Sequence, residues 1–365
     1  MTLIQAELVG GKPENPAIIS EGDGSIFVRD VTASGYGHTI KTKDGTFVDG
    51  KIDEWSEKAT KSMFPSELKT LRLPIEETPE IPWQEDLTKW VAVDCSGEDD
   101  SDALQAAINQ AAKDGKTTIY FINTKGNNGL VVSKQIRVHG SVNRIIGMSK
   151  KMWISDAGSI KPGDAVFLLE NLKGQLVVER FFNFLKLGAW KGLYDRYLFE
   201  NRSDHPVIIR NIAHGACMHK KPAPGKVWFI EDVAGARMAQ FGKGERSWMR
   251  QYNPESPDID MCVVDGGQVW ILGLKTEGRA RHIVATNGAK VELLGGVSYQ
   301  SWKKQSLNPP IFTVHDSVAT FTCGYYDSGT PFTTLIEERR GSETKTLPYK
   351  SAGFYTPLIS SRPAK

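Results

Sequence analysis

Three stretches toward the C-terminus repeat one short pattern: VVDGGQVWILGL at 263–274, VATNGAKVELLGG at 284–296 and FTVHDSVATFTCGY at 312–325. In each, a polar turn leads into a short run of alternating apolar residues, and a glycine follows. Aligning Val269, Val291 and Ala319 gives steps of 22 and 28 residues, the longer step carrying an insertion near Lys304–Pro309. One strand-like run every 20–30 residues or so is the mark of stacked, quasi-one-dimensional architecture. The repeat therefore predicts an all-β fold in which side chains one period apart become neighbours.

The rest of the chain agrees with short strands. Apolar runs recur at 130–138, 143–148, 165–170, 175–181, 206–212 and 226–233 between Gly, Asn, Asp and Pro turns, with few helical signals after residue 113. Strands this short without intervening helices argue against alternating strand–helix winding. A solenoid and an all-β sandwich both remain compatible, and the 22-residue step favours a solenoid with three strands per coil. One helix stands out, in VDCSGEDDSDALQAAINQAAKDGKTTIYF (93–121). Asp99, Asp100 and Ser101 supply groups for its start. Ala103, Leu104, Ala106, Ala107, Ile108, Ala111 and Ala112 make a small apolar face, and Gly115 ends it. Such a helix suits a cap over the open end of a stack.

Composition excludes several classes. A net charge of +2 on 365 residues, with basic residues in scattered pairs, gives no nucleic-acid surface. No apolar run reaches the 18 or so residues that a spanning helix needs, so no membrane partner is expected. The cysteines Cys95, Cys217, Cys262 and Cys323 are too dispersed for a disulfide framework or a CxxC site. No signal peptide is visible at the N-terminus, which alone favours the cytoplasm. Residues 18–37 align with 262–280, however, so the chain starts within a repeat. That suggests the C-terminal part of a longer protein, extracellular or periplasmic if a signal lies upstream. The expected organisation is residues 1–50 as terminal rungs of a first stack, 51–86 as a Pro- and charge-rich linker, and 87–365 as a second, capped stack.

The segment GEDDSDALQAAINQAAKDGKTTIYF resembles the cap helix and first strand of the right-handed parallel β-helix proteins of the pectate lyase-like superfamily, in particular rhamnogalacturonase- and epimerase-like modules. Glu98 stands where that pattern commonly has Gly or Val. The likeness covers about residues 90–330, and the remnant at 1–50 looks like family members with two β-helices in tandem. The resemblance implies a polysaccharide or oligosaccharide partner and action as a hydrolase, lyase, epimerase or tailspike-like binder. The superfamily's NTD…DD…GHG set and its Asp ligands with R-x-P-x-x-R are missing, which weighs against those two mechanisms.

In a parallel stack, residues one period apart lie about 4.8 Å apart and alternate residues point outward. With Val269, Val291 and Ala319 inward, Trp270, Glu292 and Thr320 form one outward ladder, and Glu277, Tyr299 and Asp327 a second. Glu277 and Asp327 are then expected about 9–10 Å apart, suited to an inverting glycosidase with Trp270 or Tyr299 as a sugar platform. Glu292 joins them as a candidate acid, and Lys275 as a modulator or base. Each also suits a solvated surface position, the blander reading. The segment GERSWMRQYNPESPD (244–258) is expected to be a loop dense in sugar-recognising groups: Arg246, Trp248, Arg250, Tyr252, Asn253 and Glu255. A turn pinned by a buried Arg–Glu pair is the structural alternative. His214, Cys217 and His219 match no zinc pattern, so no metal and no cofactor are expected. Two function classes stand: a glycoside hydrolase or lyase working in a groove, and a non-catalytic carbohydrate-binding or adhesion stack.

Overall fold

The computed structural model describes residues 1–365 except 125–128, 188–195, 214–216, 220–223, 236–238, 257, 300–307, 327–331, 350–357 and 364–365. The fold is mostly β, and nearly all of its strand pairs are parallel. The backbone of one eleven-stranded sheet runs through the molecule from Trp90–Cys95 to Ile359–Ser361. Every neighbour in it is parallel except the last, where Phe321 faces Ile359 across an antiparallel pair. Smaller parallel sheets, such as Cys262–Asp265 beside Ile283–Thr286 beside Phe312–His315, collect the strands that follow each member of the large sheet.

Register explains the core. Ile119, Ile145, Val178, Ile209, Ile230, Met249, Ile271, Leu293 and Phe321 stand opposite one another, strand after strand. All are buried in one continuous cluster. Val269, Val291 and Ala319 form a parallel column two positions earlier, as the repeat predicts. A one-residue slip would turn either column outward, so burial fixes the register.

Five successive strands of the large sheet, from Val207–Ala213 to Lys290–Tyr299, also bend at one place each. Asn211, Asp232, Gln251, Gly273 and Gly295 follow registered positions, and all have positive φ, between 51 and 81°. Only small or locally hydrogen-bonding residues adopt that backbone cheaply. Four of the five positions read as Asn, Asp or Gly, and Gln251 alone departs from that pattern. Beyond the bend the strands continue onto a second face, which carries Lys275, Glu277 and Tyr299.

The helix Ser101–Asp114 forms where expected and ends at Gly115, whose φ of 64° lets its N–H reach the Ala111 carbonyl. Its buried face is Leu104, Ala107, Ile108 and Ala111 with Ser101, narrower than the sequence suggests, since Ala103 and Ala106 are exposed. The acidic start anchors the helix to the stack. Asp99 accepts from the Ser101 N–H, Asp100 accepts from the Val131 N–H at 2.8 Å, and Ser101 Oγ accepts from the Ser133 N–H.

Residues 1–56 build a smaller unit. Thr2–Leu8 pairs in parallel with Phe27–Ala33 and Pro16–Ile19 with His38–Lys41, around Ile18, Ile26, Val28, Val31, Ile40 and Ile52. Ile52–Ser56 closes its edge in antiparallel fashion. The segment that follows lies extended across the outer face of the large sheet. The Arg72 N–H donates to Glu292 at 2.8 Å, and at the far end Arg144 donates to the Ile81 carbonyl at 2.6 Å. Six strand spacings separate those anchors, roughly 29 Å at about 4.8 Å each. Nine extended residues reach roughly 30 Å. The strap is therefore fully drawn out, perpendicular to the strands it covers.

Candidate functional site

The first expected ladder exists but is covered. Trp248, Trp270, Glu292 and Thr320 stand side by side in register. Trp248 and Trp270 are each 1% exposed, and Glu292 is fully buried. Their cover is the strap, whose Leu73 packs into the same cluster with partly buried Leu71 and Ile75. Trp248 Nε1 donates to the Pro74 carbonyl at 2.8 Å, and Arg250 donates to the Glu76 carbonyl at 2.9 Å. Glu292 carries an ion pair to Arg29 at 2.9 Å. Burial pushes its carboxyl upward, while the Arg29 charge and the Arg72 N–H pull it back. The expectation of an open aromatic platform at Trp270, with Glu292 as an acid beside it, is thus corrected. The chain's own backbone fills that face.

The expected loop at 244–258 is largely a strand, Arg246–Asn253. Alternation sends Arg246, Trp248 and Arg250 under or beside the strap. The bend at Gln251 then turns Tyr252 into the main core, where it is 0% exposed and its hydroxyl donates to the Met261 carbonyl. These residues do not converge on one ligand. Arg246 pairs with Glu76 at 3.2 Å and Arg250 with Glu77 at 3.1 Å. Asn253 is half-buried, and its Oδ1 meets no donor among the described residues.

Beyond the bend, the second ladder does bring candidates together. Glu255 bridges Glu277 on the neighbouring strand, Glu277 faces Tyr299, and Tyr299 faces Tyr326. Lys275 Nζ donates to Glu255 at 2.7 Å and to Glu277 at 2.5 Å. The Tyr299 hydroxyl donates to the same Glu277 oxygen at 2.5 Å, and its ring centroid lies 5.1 Å from Nζ. The three charged side chains are a quarter to a third exposed. Tyr326 is 50% exposed. Burial works against the charge on Lys275, but its bonds to Glu255, Glu277 and Tyr299 together outweigh that and raise its pKa. Tyr299 is also raised, first by its bond to Glu277 and then by burial. A lysine already donating to two carboxylates is a poor base, which weighs against that expected role of Lys275.

The predicted partner Asp327 lies outside the described residues. The position opposite Tyr299 is Tyr326, because the pairing shifts between Leu294 and Val297, at Gly295 and Gly296. That shift moves every later residue by one place relative to a straight alignment. Among the described residues, the acid beside Glu277 is Glu255. A shared ammonium at 2.7 and 2.5 Å limits the two carboxylate oxygens to at most about 5 Å apart, too close for an inverting pair.

His214 lies outside the described residues, as do the side chains of Cys217 and His219. Among the described residues Cys95, Cys262 and Cys323 are free and buried. No helix among them is long and apolar enough to cross a membrane. No protein-family model matches the chain, and no curated protein is similar enough to it to count as a relative.

Proposed function

We propose that the stacked parallel strands are the coils of a right-handed parallel β-helix of the pectate lyase-like kind. Residues 1–50 would be the last rungs of a first helix, 51–86 a linker and 87–365 the second helix. The registered apolar columns and the capping helix support this reading. On it, the protein is polysaccharide-active and engages its glycan on the face beyond the bend, where Glu255, Lys275, Glu277, Tyr299 and Tyr326 form one ladder.

The observation that carries the mode of action is Lys275, bonded to both carboxylates. A general acid must present a proton to its substrate, whereas these carboxylate oxygens accept from Lys275 and, at Glu277, from the Tyr299 hydroxyl as well. Hydroxyls of a sugar bond well to such a polar ladder, and the half-exposed Tyr326 ring offers a stacking surface. The geometry therefore favours non-catalytic capture of a saccharide. One observation favours hydrolysis as the second reading, the carboxylate separation within about 5 Å.

A panel of oligosaccharides tested for binding and for release of reducing or unsaturated ends decides between them. Capture predicts binding that Tyr326→Ala and Glu277→Gln weaken, with no product formed. Turnover abolished by Glu277→Gln would establish the hydrolase instead. A chain that binds none of the panel would refute both.

A further inference from the structure

Two residues beyond Glu277 on the same chain segment, Arg279 lies almost wholly buried, 3% exposed, in the wall of a cavity of about 590 Å³. A guanidinium carries five N–H donors and cannot discharge itself by losing a proton. Arg279 makes one hydrogen bond, from Nη2 to Asn308 Oδ1 at a long 3.3 Å, and its Nε meets no acceptor among the described residues. No carboxylate of the described residues lies within ion-pair distance of it. A buried cation left so poorly partnered is costly, and its donors are arranged to take a planar oxyanion through two parallel bonds.

The rest of the wall does not discharge it. Asp260 also lines the cavity, but both its oxygens are held by Arg281, at 2.8 and 2.6 Å. Asp258 is exposed at the rim. Pro309 and Ile259 supply the apolar part. The pair Asp260–Arg281 is neutral as a unit, so among the described lining residues the charges left over are those of Arg279 and Asp258.

We propose that the Arg279 cavity is an oxyanion-binding site that takes a carboxylate or sulfate group. The occupant is either a free small anion or an anionic substituent on a larger ligand. The site stands whether or not the neighbouring ladder holds a saccharide.

The test titrates the intact chain with sodium acetate, sodium sulfate and sodium glucuronate against sodium chloride at constant ionic strength. It follows the Arg279 side-chain Nε–H resonance and the thermal midpoint. A saturable shift is expected in the wild type, with at least a tenfold weaker midpoint in Arg279→Gln. Arg279→Lys, which keeps the charge without the fork, should fall between them. Asp258→Asn, at the rim, should bind several-fold more tightly. Equal saturation by acetate, sulfate and glucuronate assigns the site to free anions. At least tenfold tighter binding of glucuronate assigns it to a substituent on a sugar. Wild-type protein that shows no saturable response, or an Arg279→Gln variant that responds as the wild type does, overturns the proposal.

Discussion

Arg29 Nη1 and Glu292 Oε1, 263 residues apart in sequence, form an ion pair at 2.9 Å with almost no solvent on either side. The pair joins the N-terminal unit to the outer face of the long sheet, directly beneath the strap. Thr70 shares the Arg29 guanidinium and the Arg72 N–H shares the Glu292 carboxylate, so three segments meet at one point.

Removing one member of this pair strands the other charge in a dry site. Glu292→Ala is expected to cost about 3–5 kcal/mol, while the double replacement Arg29→Met with Glu292→Leu should recover most of that loss. Urea midpoints of the two variants decide it. A single variant as stable as the wild type would mean that water reaches this pair.

The strap makes a second, separable prediction. Leu73 is 7% exposed and lies in the cluster with Trp248, Trp270 and Phe229. Leu73→Ala should cost about 2–4 kcal/mol by the usual penalty for emptying a packed leucine site. It should also raise quenching of tryptophan fluorescence by acrylamide, because the strap shields two indoles. Lost stability with unchanged quenching would show that the cover stays in place without its anchor.

Two buried titrating groups act in opposite directions on stability. Burial pushes the Glu245 carboxyl up to about 7, and burial pushes His282 down to about 4. Folded Glu245 keeps its proton where the unfolded chain has lost it, so its contribution is present in acid and fades as pH rises through 7. Folded His282 stays neutral where the unfolded chain is charged, so its contribution is lost as pH falls from 6.5 to 4. Each is worth about 3 kcal/mol at about 1.4 kcal/mol per unit, and between pH 5 and 6.5 or so the slopes cancel. Glu245→Gln should therefore leave a protein that gains stability from pH 4 to 6.5, and His282→Gln one that loses it from pH 4.5 to 7. Identical urea midpoints across that range for all three proteins would refute this balance.

The column of bends offers a backbone test. Gly273 has a φ of 81°, and a Cβ there would meet only the Gln251 side chain and N–H, at 3.7 Å. The cost of Gly273→Ala is thus conformational, about 1 kcal/mol, rather than steric. Gly295→Ala should cost more, since its Cβ would come within 3.0 Å of Thr2 in the N-terminal unit. Thermal midpoints that fall equally for both would remove the distinction.

The repeat made the inward columns legible, because alternation and a near-constant step are local properties of the chain. Val269, Val291 and Ala319 align for that reason. The outward ladder at Trp270 and Glu292 was legible as a ladder but not as a buried one. What covers it is residues 70–84, which carry no periodicity of their own and find their place only through long-range packing. Asp327 was misaligned for a different cause, the paired glycines 295 and 296, which shift the register of one strand. Glu255, Lys275, Glu277 and Tyr299 were each visible as polar residues near the repeats. Their convergence depended on the bend at Gln251 and Gly273, and only the glycine announces it.

Lys275 is the residue on which the candidate face turns. It is the cation bonded to both Glu255 and Glu277, and it underlies the Tyr299 ring. Lys275→Met keeps the length of the side chain and removes the charge. Two carboxylates no more than about 5 Å apart would then repel, and the pair should titrate in two steps, one of them well above an ordinary glutamate. Carboxyl carbon resonances followed from pH 3 to 9 would show that step in the variant. If the ladder serves only to hold ligand hydroxyls, the variant should bind saccharide less tightly and gain no activity. If the wild-type pair is a hydrolytic pair, the newly raised glutamate should shift the optimum of turnover with its own pKa. A variant whose two glutamates titrate together at an ordinary value would mean that Lys275 does not link them.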